Sequence, residues 1–105
     1  MFKAISKYIK ELKSAGLYGK AHKQHMCKNY EAALSTLDKV MSSELPEFLA
    51  ILVLLERGEI EYRLGRYEAS ILNLNSFIEQ ALASQNYDKQ IVRAKEFISA
   101  ASSKT

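Results

Sequence analysis

Two short stretches of the chain, Lys28–Leu34 (KNYEAAL) and Gly65–Ile71 (GRYEASI), share one pattern and decide the fold. They lie 37 residues apart, and each is followed by a leucine seven residues after its tyrosine, Leu37 and Leu74. Each stretch begins where one helical apolar pattern stops and another starts, so both mark a turn between helices. A repeat at a spacing of about 20–50 residues indicates a supersecondary unit that occurs twice.

Apolar residues recur at helical spacing in the rest of the chain as well, and no segment alternates with period two. We therefore predict an all-α fold of about six antiparallel helices. Their predicted ranges are 2–14, 17–27, 30–41, 47–64, 67–83 and 87–101. Gly16 is expected to end the first helix in a left-handed cap, and Pro46 suits the first turn of the fourth.

The repeated stretch resembles the tetratricopeptide repeat (TPR) family, whose unit is a pair of antiparallel helices. The second copy matches best, with Leu54 and Gly58 at the large and small positions of the first helix and with Leu64–Glu68 at the turn. The first copy is degenerate, because Lys28 stands at the position of the usual turn glycine. The main alternative is a compact helical bundle with a chance repeat.

On this resemblance we predict a single helical domain, a small α-solenoid with a capping helix. Its predicted parts are a basic amphipathic helix (1–16), two TPR-like units (17–84), a C-terminal capping helix (85–101) and a frayed tail (102–105). Asn86-Tyr87-Asp88 comes only 20 residues after Tyr67, too soon for a complete third unit.

The composition is that of an ordinary globular protein, with 48% hydrophobic and 26% charged residues. The single cysteine excludes a disulfide framework. The longest apolar run, Phe48–Leu55, is too short to span a membrane, and the N-terminus lacks a secretory signal pattern. We therefore expect a cytoplasmic protein.

Basic charge is concentrated in residues 1–28, which hold seven lysines, no arginine and a single acid. Lys3, Lys7, Lys10 and Lys13 are candidates for electrostatic steering of a partner. Binding to nucleic acid or to a membrane surface stays an alternative that the sequence disfavours. Against nucleic acid, residues 1–28 contain no arginine for hydrogen bonding to base edges. Against a membrane, the apolar stripe of the first helix is expected to pack on the second helix; the stripe consists of Phe2, Ile5, Ile9 and Leu12.

No residue pattern supports catalysis or a cofactor. His22 and His25 share a helix face, but Cys27 points elsewhere and is expected to be a small buried hydrophobe, so we predict no metal site. Glu56, Glu59 and Glu61 are expected to form surface ion pairs with neighbouring arginines. The chain is therefore not expected to be an enzyme.

The TPR resemblance implies that the first helix of each unit lines a concave groove. The implied partner-binding residues are Tyr18, His22 and His25 from one unit and Glu59, Tyr62 and Arg63 from the other. The predicted function is a non-catalytic module, an adaptor or chaperone, that binds one dedicated protein partner. The alternative is a stoichiometric inhibitor, such as an immunity protein that covers the active site of a toxin. A monomer or weak dimer is expected.

Overall fold

The computed structural model describes residues 2–42 and 45–105, without the side chains of residues 2–6 and 8. Over this part of the chain five α-helices and no strands are found, so the all-α prediction is confirmed. The helices are α1 (Phe2–Met26), α2 (Tyr30–Met41), α3 (Glu47–Arg63), α4 (Tyr67–Ser84) and α5 (Asp88–Ser102).

The prediction of about six helices is wrong because the first two are one. α1 continues through Gly16 and Gly19, neither of which has a positive φ, so no left-handed cap forms there. The boundary predicted after residue 16 therefore falls inside a helix. A glycine within a helix costs about 1 kcal/mol relative to alanine, and that cost does not outweigh the packing of Ser14 and Ala21, both fully buried on one face.

The chain divides into two compact units, Met1–Val53 and Leu54–Thr105, called here the N-terminal and the C-terminal unit. The division falls inside α3. The N-terminal unit contains α1, α2 and the start of α3. The C-terminal unit contains the rest of α3 with α4 and α5.

In the N-terminal unit, α1 and α2 form an antiparallel hairpin with a three-residue turn. The turn is closed by hydrogen bonds from the N–H of Lys28 to the carbonyl of His25 and from the N–H of Asn29 to that of Gln24. Lys28 has a left-handed φ of 63°. Beside the turn, the hydroxyl of Thr36 donates to the Gln24 side-chain oxygen at 2.6 Å, and the rings of His25 and Tyr30 lie 6.0 Å apart.

In the C-terminal unit, α3 and α4 repeat this arrangement position by position, 37 residues on. Gly65 takes the left-handed position with φ 78°, and its N–H donates to the carbonyl of Tyr62. The Asn73 amide donates to Glu61 at 2.6 Å, and the rings of Tyr62 and Tyr67 lie 5.6 Å apart. The repeated sequence therefore encodes the same turn, the same polar bridge and the same ring pair in each unit.

Among the described glycines, Gly58 has the tightest surroundings, and the atoms around it belong to α4. A Cβ added there would lie 2.5 Å from Cγ of Leu74, and the Ser70 hydroxyl donates to the Gly58 carbonyl at 2.6 Å. The expectation that the missing side chain lets the paired helix come close is confirmed.

α5 packs against α4 through alanines and one aromatic contact. Ala94 and Ala101 are fully buried, and the ring of Tyr87 meets Phe77 edge-on at 6.2 Å. After Ser102 the chain continues as a turn, in which the N–H of Lys104 donates to the carbonyl of Ala101. The end of the chain is therefore hydrogen-bonded as far as its last residues.

The apolar stripe was predicted to pack on a second helix, but its two members with described side chains are exposed. Ile9 is 47% exposed and Leu12 is 54% exposed. The predicted second helix, 17–27, is the continuation of the same helix. Phe2 and Ile5 lie outside the described side chains. Cys27, expected to be buried, is exposed.

Candidate functional site

The C-terminal unit carries an aromatic cluster where α3 meets α5. The ring of Tyr62 on α3 packs edge-on against Phe97 of α5, with ring centres 5.2 Å apart, and against Tyr67 at the start of α4. Tyr62 and Phe97 are both half-buried, so each presents part of its ring to solvent. One aromatic surface is thus built from the ends of three helices.

Two arginines lie over the Phe97 ring. The guanidinium carbon of Arg63 is 5.6 Å from the ring centre and that of Arg93 is 5.7 Å from it. Both distances are within the range in which a cation is attracted to the negative face of an aromatic ring. Arg63 is exposed at the end of α3, so its charged group stays available on the surface.

Arg93 also holds the buried carboxylate of Glu59. Its Nε contacts Oε1 at 2.5 Å and its Nη2 contacts Oε2 at 3.3 Å. Glu59 is only 4% exposed, whereas the Arg93 side chain is 54% exposed. The hydrogen bond to Glu59, and next the charge of Glu59, raise the pKa of Arg93 above its ordinary value.

The three glutamates of α3 are not the surface ion pairs expected from the sequence. Glu56, Glu59 and Glu61 are 6%, 4% and 6% exposed. Glu61 accepts a hydrogen bond from Asn73 and has Arg57 at 3.9 Å. For Glu59 and Glu61, contacts with Arg93 of α5 and Asn73 of α4 explain the difference, because helical spacing alone does not reveal which polar side of α3 a later helix will cover.

A small cavity opens beside the aromatic cluster. It measures about 180 Å³ and is lined by Tyr62, Glu96, Phe97 and Ala100. Together with Arg63 and Arg93 these residues form the Tyr62–Phe97 surface. It combines two half-buried rings, a shallow apolar cavity and two guanidinium groups. Aromatic residues and arginine are the residue types most enriched at the centres of protein interfaces.

The predicted residues of the C-terminal unit are thus brought together, but in different roles. Tyr62 is half-buried and Arg63 is exposed, so both present part of their side chains to solvent. Glu59 is turned inward and holds Arg93, so it supports the surface and is not an exposed contact.

In the N-terminal unit, Tyr18, His22 and His25 lie on neighbouring positions of one side of α1. Tyr18 is half-buried, His22 is exposed and His25 is 6% exposed. The rings of His22 and His25 are 6.4 Å apart and nearly perpendicular. His25 contacts Tyr30 at the position where Tyr62 contacts Tyr67 in the C-terminal unit, which makes it a packing residue of the hairpin.

The proposed steering lysines lie on the first half of α1. Lys7, Lys10 and Lys13 are exposed, and Lys3 lies outside the described side chains. None of the helices within the described residues is both long enough and apolar enough to cross a membrane.

Sequence reasoning missed Arg93 and Phe97, which complete the surface. The sequence did contain a signal for them: Arg93 and Phe97 are four residues apart on a predicted helix, so an arginine and an aromatic ring lie on the same face.

Comparison of the chain with protein-family models gave no match. Comparison with curated proteins and with solved structures gave no match either.

Proposed function

We propose that the protein is a non-catalytic interaction module that binds one dedicated protein partner through the Tyr62–Phe97 surface. The observation that carries the proposal is Phe97, half-buried between two guanidinium groups and in edge contact with Tyr62. An aromatic and arginine anchor of this kind, next to a shallow cavity, provides large contact area with polar tips.

The surface is held in place before any partner arrives. Glu59 fixes Arg93 by two hydrogen bonds, and Tyr62 is fixed between Tyr67 and Phe97. Prior ordering reduces the side-chain entropy that binding costs, about 0.5–1.5 kcal/mol for each flexible side chain. A surface of few residues is therefore able to bind a protein partner with less loss of side-chain entropy.

We further propose that the two hairpins are degenerate TPR-like units. The support is their shared geometry at an offset of 37 residues: a left-handed turn residue, a polar bridge and a ring pair. In this proposal α5 is a capping helix whose outer side adds Arg93 and Phe97 to the binding surface.

The test is affinity purification of the full-length chain from its native cell, with the bound protein identified and its affinity then measured with purified components. Arg63→Ala should weaken binding about thirtyfold or more, as expected for loss of a central anchor. Lys89→Ala, an exposed lysine of α5, is the matched control and should leave the affinity unchanged.

Helicity by circular dichroism should be the same for both variants, because both side chains are exposed. A stoichiometric partner whose affinity is insensitive to Arg63→Ala and to Phe97→Ala would place its binding site elsewhere and overturn the proposal.

A further inference from the structure

The first half of α1 turns its apolar side away from the side on which its second half is buried. At 100° per residue, the buried residues Ser14, Ala21 and His25 lie within about 40° of one another. Ile9 and Leu12 lie about 140° and 160° from the centre of that group. Their exposure, 47% and 54%, agrees with these angles.

The outward side continues along most of the helix. Gly16, Gly19 and Met26 follow Ile9 and Leu12 on the same side. A Cβ added at either glycine would have nothing within 4 Å, and Met26 is 55% exposed. From Ile9 to Met26 this strip is about 26 Å long, and we call it the α1 strip.

Lysines lie on and beside the α1 strip, and acid is absent from it. Lys23 lies about 10° from the centre of the strip, and Lys20 and Lys13 lie about 70° and 90° from it on one edge; all three are exposed. Glu11, which is the sole acidic residue among residues 1–28, lies about 110° away. The strip therefore carries exposed apolar side chains towards its two ends and positive charge on its midline and along one edge.

α1 is also much longer than the helix it pairs with. It has 25 residues against 12 in α2, about 37 Å against about 18 Å. Since the hairpin turn aligns α2 with the C-terminal half of α1, the residues before about Ser14 extend past the end of α2.

We propose that the α1 strip binds the surface of an anionic lipid membrane, with the helix lying in the plane of the headgroups. A basic amphipathic helix enters the headgroup region with its apolar side inward, while long lysine side chains reach back to the charged headgroups. Each lysine near an anionic membrane strengthens binding roughly fivefold. This role is independent of the Tyr62–Phe97 surface.

Charge and shape favour lipid over the other occupants. A second copy of the strip would bring lysines against lysines and be repelled. A nucleic-acid duplex would leave Ile9 and Leu12 uncovered. All basic residues of 1–28 are lysines, point charges that suit a diffuse anionic surface, whereas arginine suits fixed bidentate recognition of single carboxylates or phosphates.

The test is co-sedimentation of the full-length protein with phosphatidylcholine vesicles with and without phosphatidylglycerol. We expect binding only to the vesicles that contain phosphatidylglycerol, and weaker binding at high salt. Lys13→Gln with Lys20→Gln should weaken binding roughly twentyfold. Lys39→Gln with Lys89→Gln, two exposed lysines outside α1, is the matched control and should have little effect.

A second readout separates insertion from simple charge attraction. The chain contains no tryptophan, so Leu12→Trp places a single reporter on the strip. Its emission should shift to the blue on vesicles with phosphatidylglycerol. Leu82→Trp, at a position 61% exposed on α4, should show no shift.

Each result decides the proposal. Selective binding together with a blue shift at position 12 alone supports it. The absence of vesicle binding, equal binding to neutral vesicles, or unchanged emission at position 12 would overturn it. None of these results affects the Arg63→Ala test, so the two proposals fail separately.

Discussion

At the scale of single residues, the two hairpin turns place different side chains in the same backbone conformation. Lys28 has φ 63° and Gly65 has φ 78°. The left-handed region costs a residue with a Cβ about 1–2 kcal/mol, a cost that glycine avoids. The departure of Lys28 from the TPR pattern therefore changes the stability of the turn but not its geometry.

Exchanging the two turn residues should move stability in opposite directions. Lys28→Gly should raise the free energy of unfolding by about 1 kcal/mol, and Gly65→Lys should lower it by about 1 kcal/mol or more. Urea unfolding followed by circular dichroism measures both. A loss of stability in Lys28→Gly would show that the lysine side chain makes a contact more valuable than the relief of backbone strain.

Glycines in α1 and α3 should respond to added side chains in opposite ways. Gly58→Leu should lower the free energy of unfolding by about 1–3 kcal/mol, because the new side chain would collide with Leu74. Gly16→Ala should raise it by about 0.5–1 kcal/mol, because the added methyl group meets open space in a helix interior. Unfolding midpoints of the two variants in urea give the comparison, and equal midpoints would contradict it.

At the scale of helices, the pattern of apolar residues was sufficient for α2, α3 and α4 but not for the middle of α1, where it predicted a break. The repeated tyrosine and leucine positions pointed to both hairpins because each side chain packs within its own helix pair. Ser14-Ala15-Gly16 has the composition of a helix end, yet Ser14 is buried and its hydroxyl donates to the Lys10 carbonyl inside the helix. Only the packing partner decides between a cap and a continuing turn.

The contribution of α5 to the Tyr62–Phe97 surface was not predicted from the sequence either, because it depends on contacts between residues far apart in the sequence. Arg93 and Glu59 are 34 positions apart. Local spacing identified the buried side of α5, whereas the carboxylate that fixes its exposed arginine lies on another helix. This is why the sequence made Tyr62 and Arg63 candidate residues and left out Arg93 and Phe97.

Removing the positive charge of Arg93 should destabilise the packing of α5 on α3. Arg93→Met leaves the Glu59 carboxylate buried without its charged partner, so the free energy of unfolding should fall by about 1–3 kcal/mol. The double variant Arg93→Met with Glu59→Leu should recover part of this loss, because an apolar pair needs no partner. Lys89→Met, exposed on the same helix, is the control and should change stability by less than about 0.5 kcal/mol.

Urea unfolding of the wild type, Arg93→Met, Glu59→Leu and the double variant forms a double-mutant cycle that isolates the coupling of the pair. If Arg93→Met is as stable as the Lys89→Met control, Glu59 is sufficiently solvated without Arg93, and the pair does not anchor α5.

At the scale of the whole molecule, the protein has two surfaces of different chemistry in different units. The Tyr62–Phe97 surface of the C-terminal unit has guanidinium groups fixed over a ring. The α1 strip of the N-terminal unit combines exposed apolar side chains with exposed lysines. The net charge of +3 conceals this division, since residues 29–105 hold eleven acids against eight basic residues. Fixed groups favour specific contacts, and diffuse positive charge favours long-range attraction.

The two kinds of charge should therefore affect different rates when a protein partner binds. Arg63→Ala removes an anchor of the bound complex and should mainly speed dissociation. Lys7→Glu with Lys10→Glu reverses the charge at two exposed positions and should mainly slow association. The association defect should shrink at high salt, where a Debye length of a few ångströms screens the lysines, while the dissociation defect of Arg63→Ala should persist.

Surface plasmon resonance with the purified partner at low and high salt measures both rates for each variant. Circular dichroism of the same samples shows whether helicity is preserved. The distinction is sharp because the two sets of residues belong to separate units. If the lysine pair abolishes binding at every salt concentration and Arg63→Ala leaves both rates unchanged, then the first half of α1 is itself the protein-binding site, and the aromatic cluster serves only to hold α5 in place.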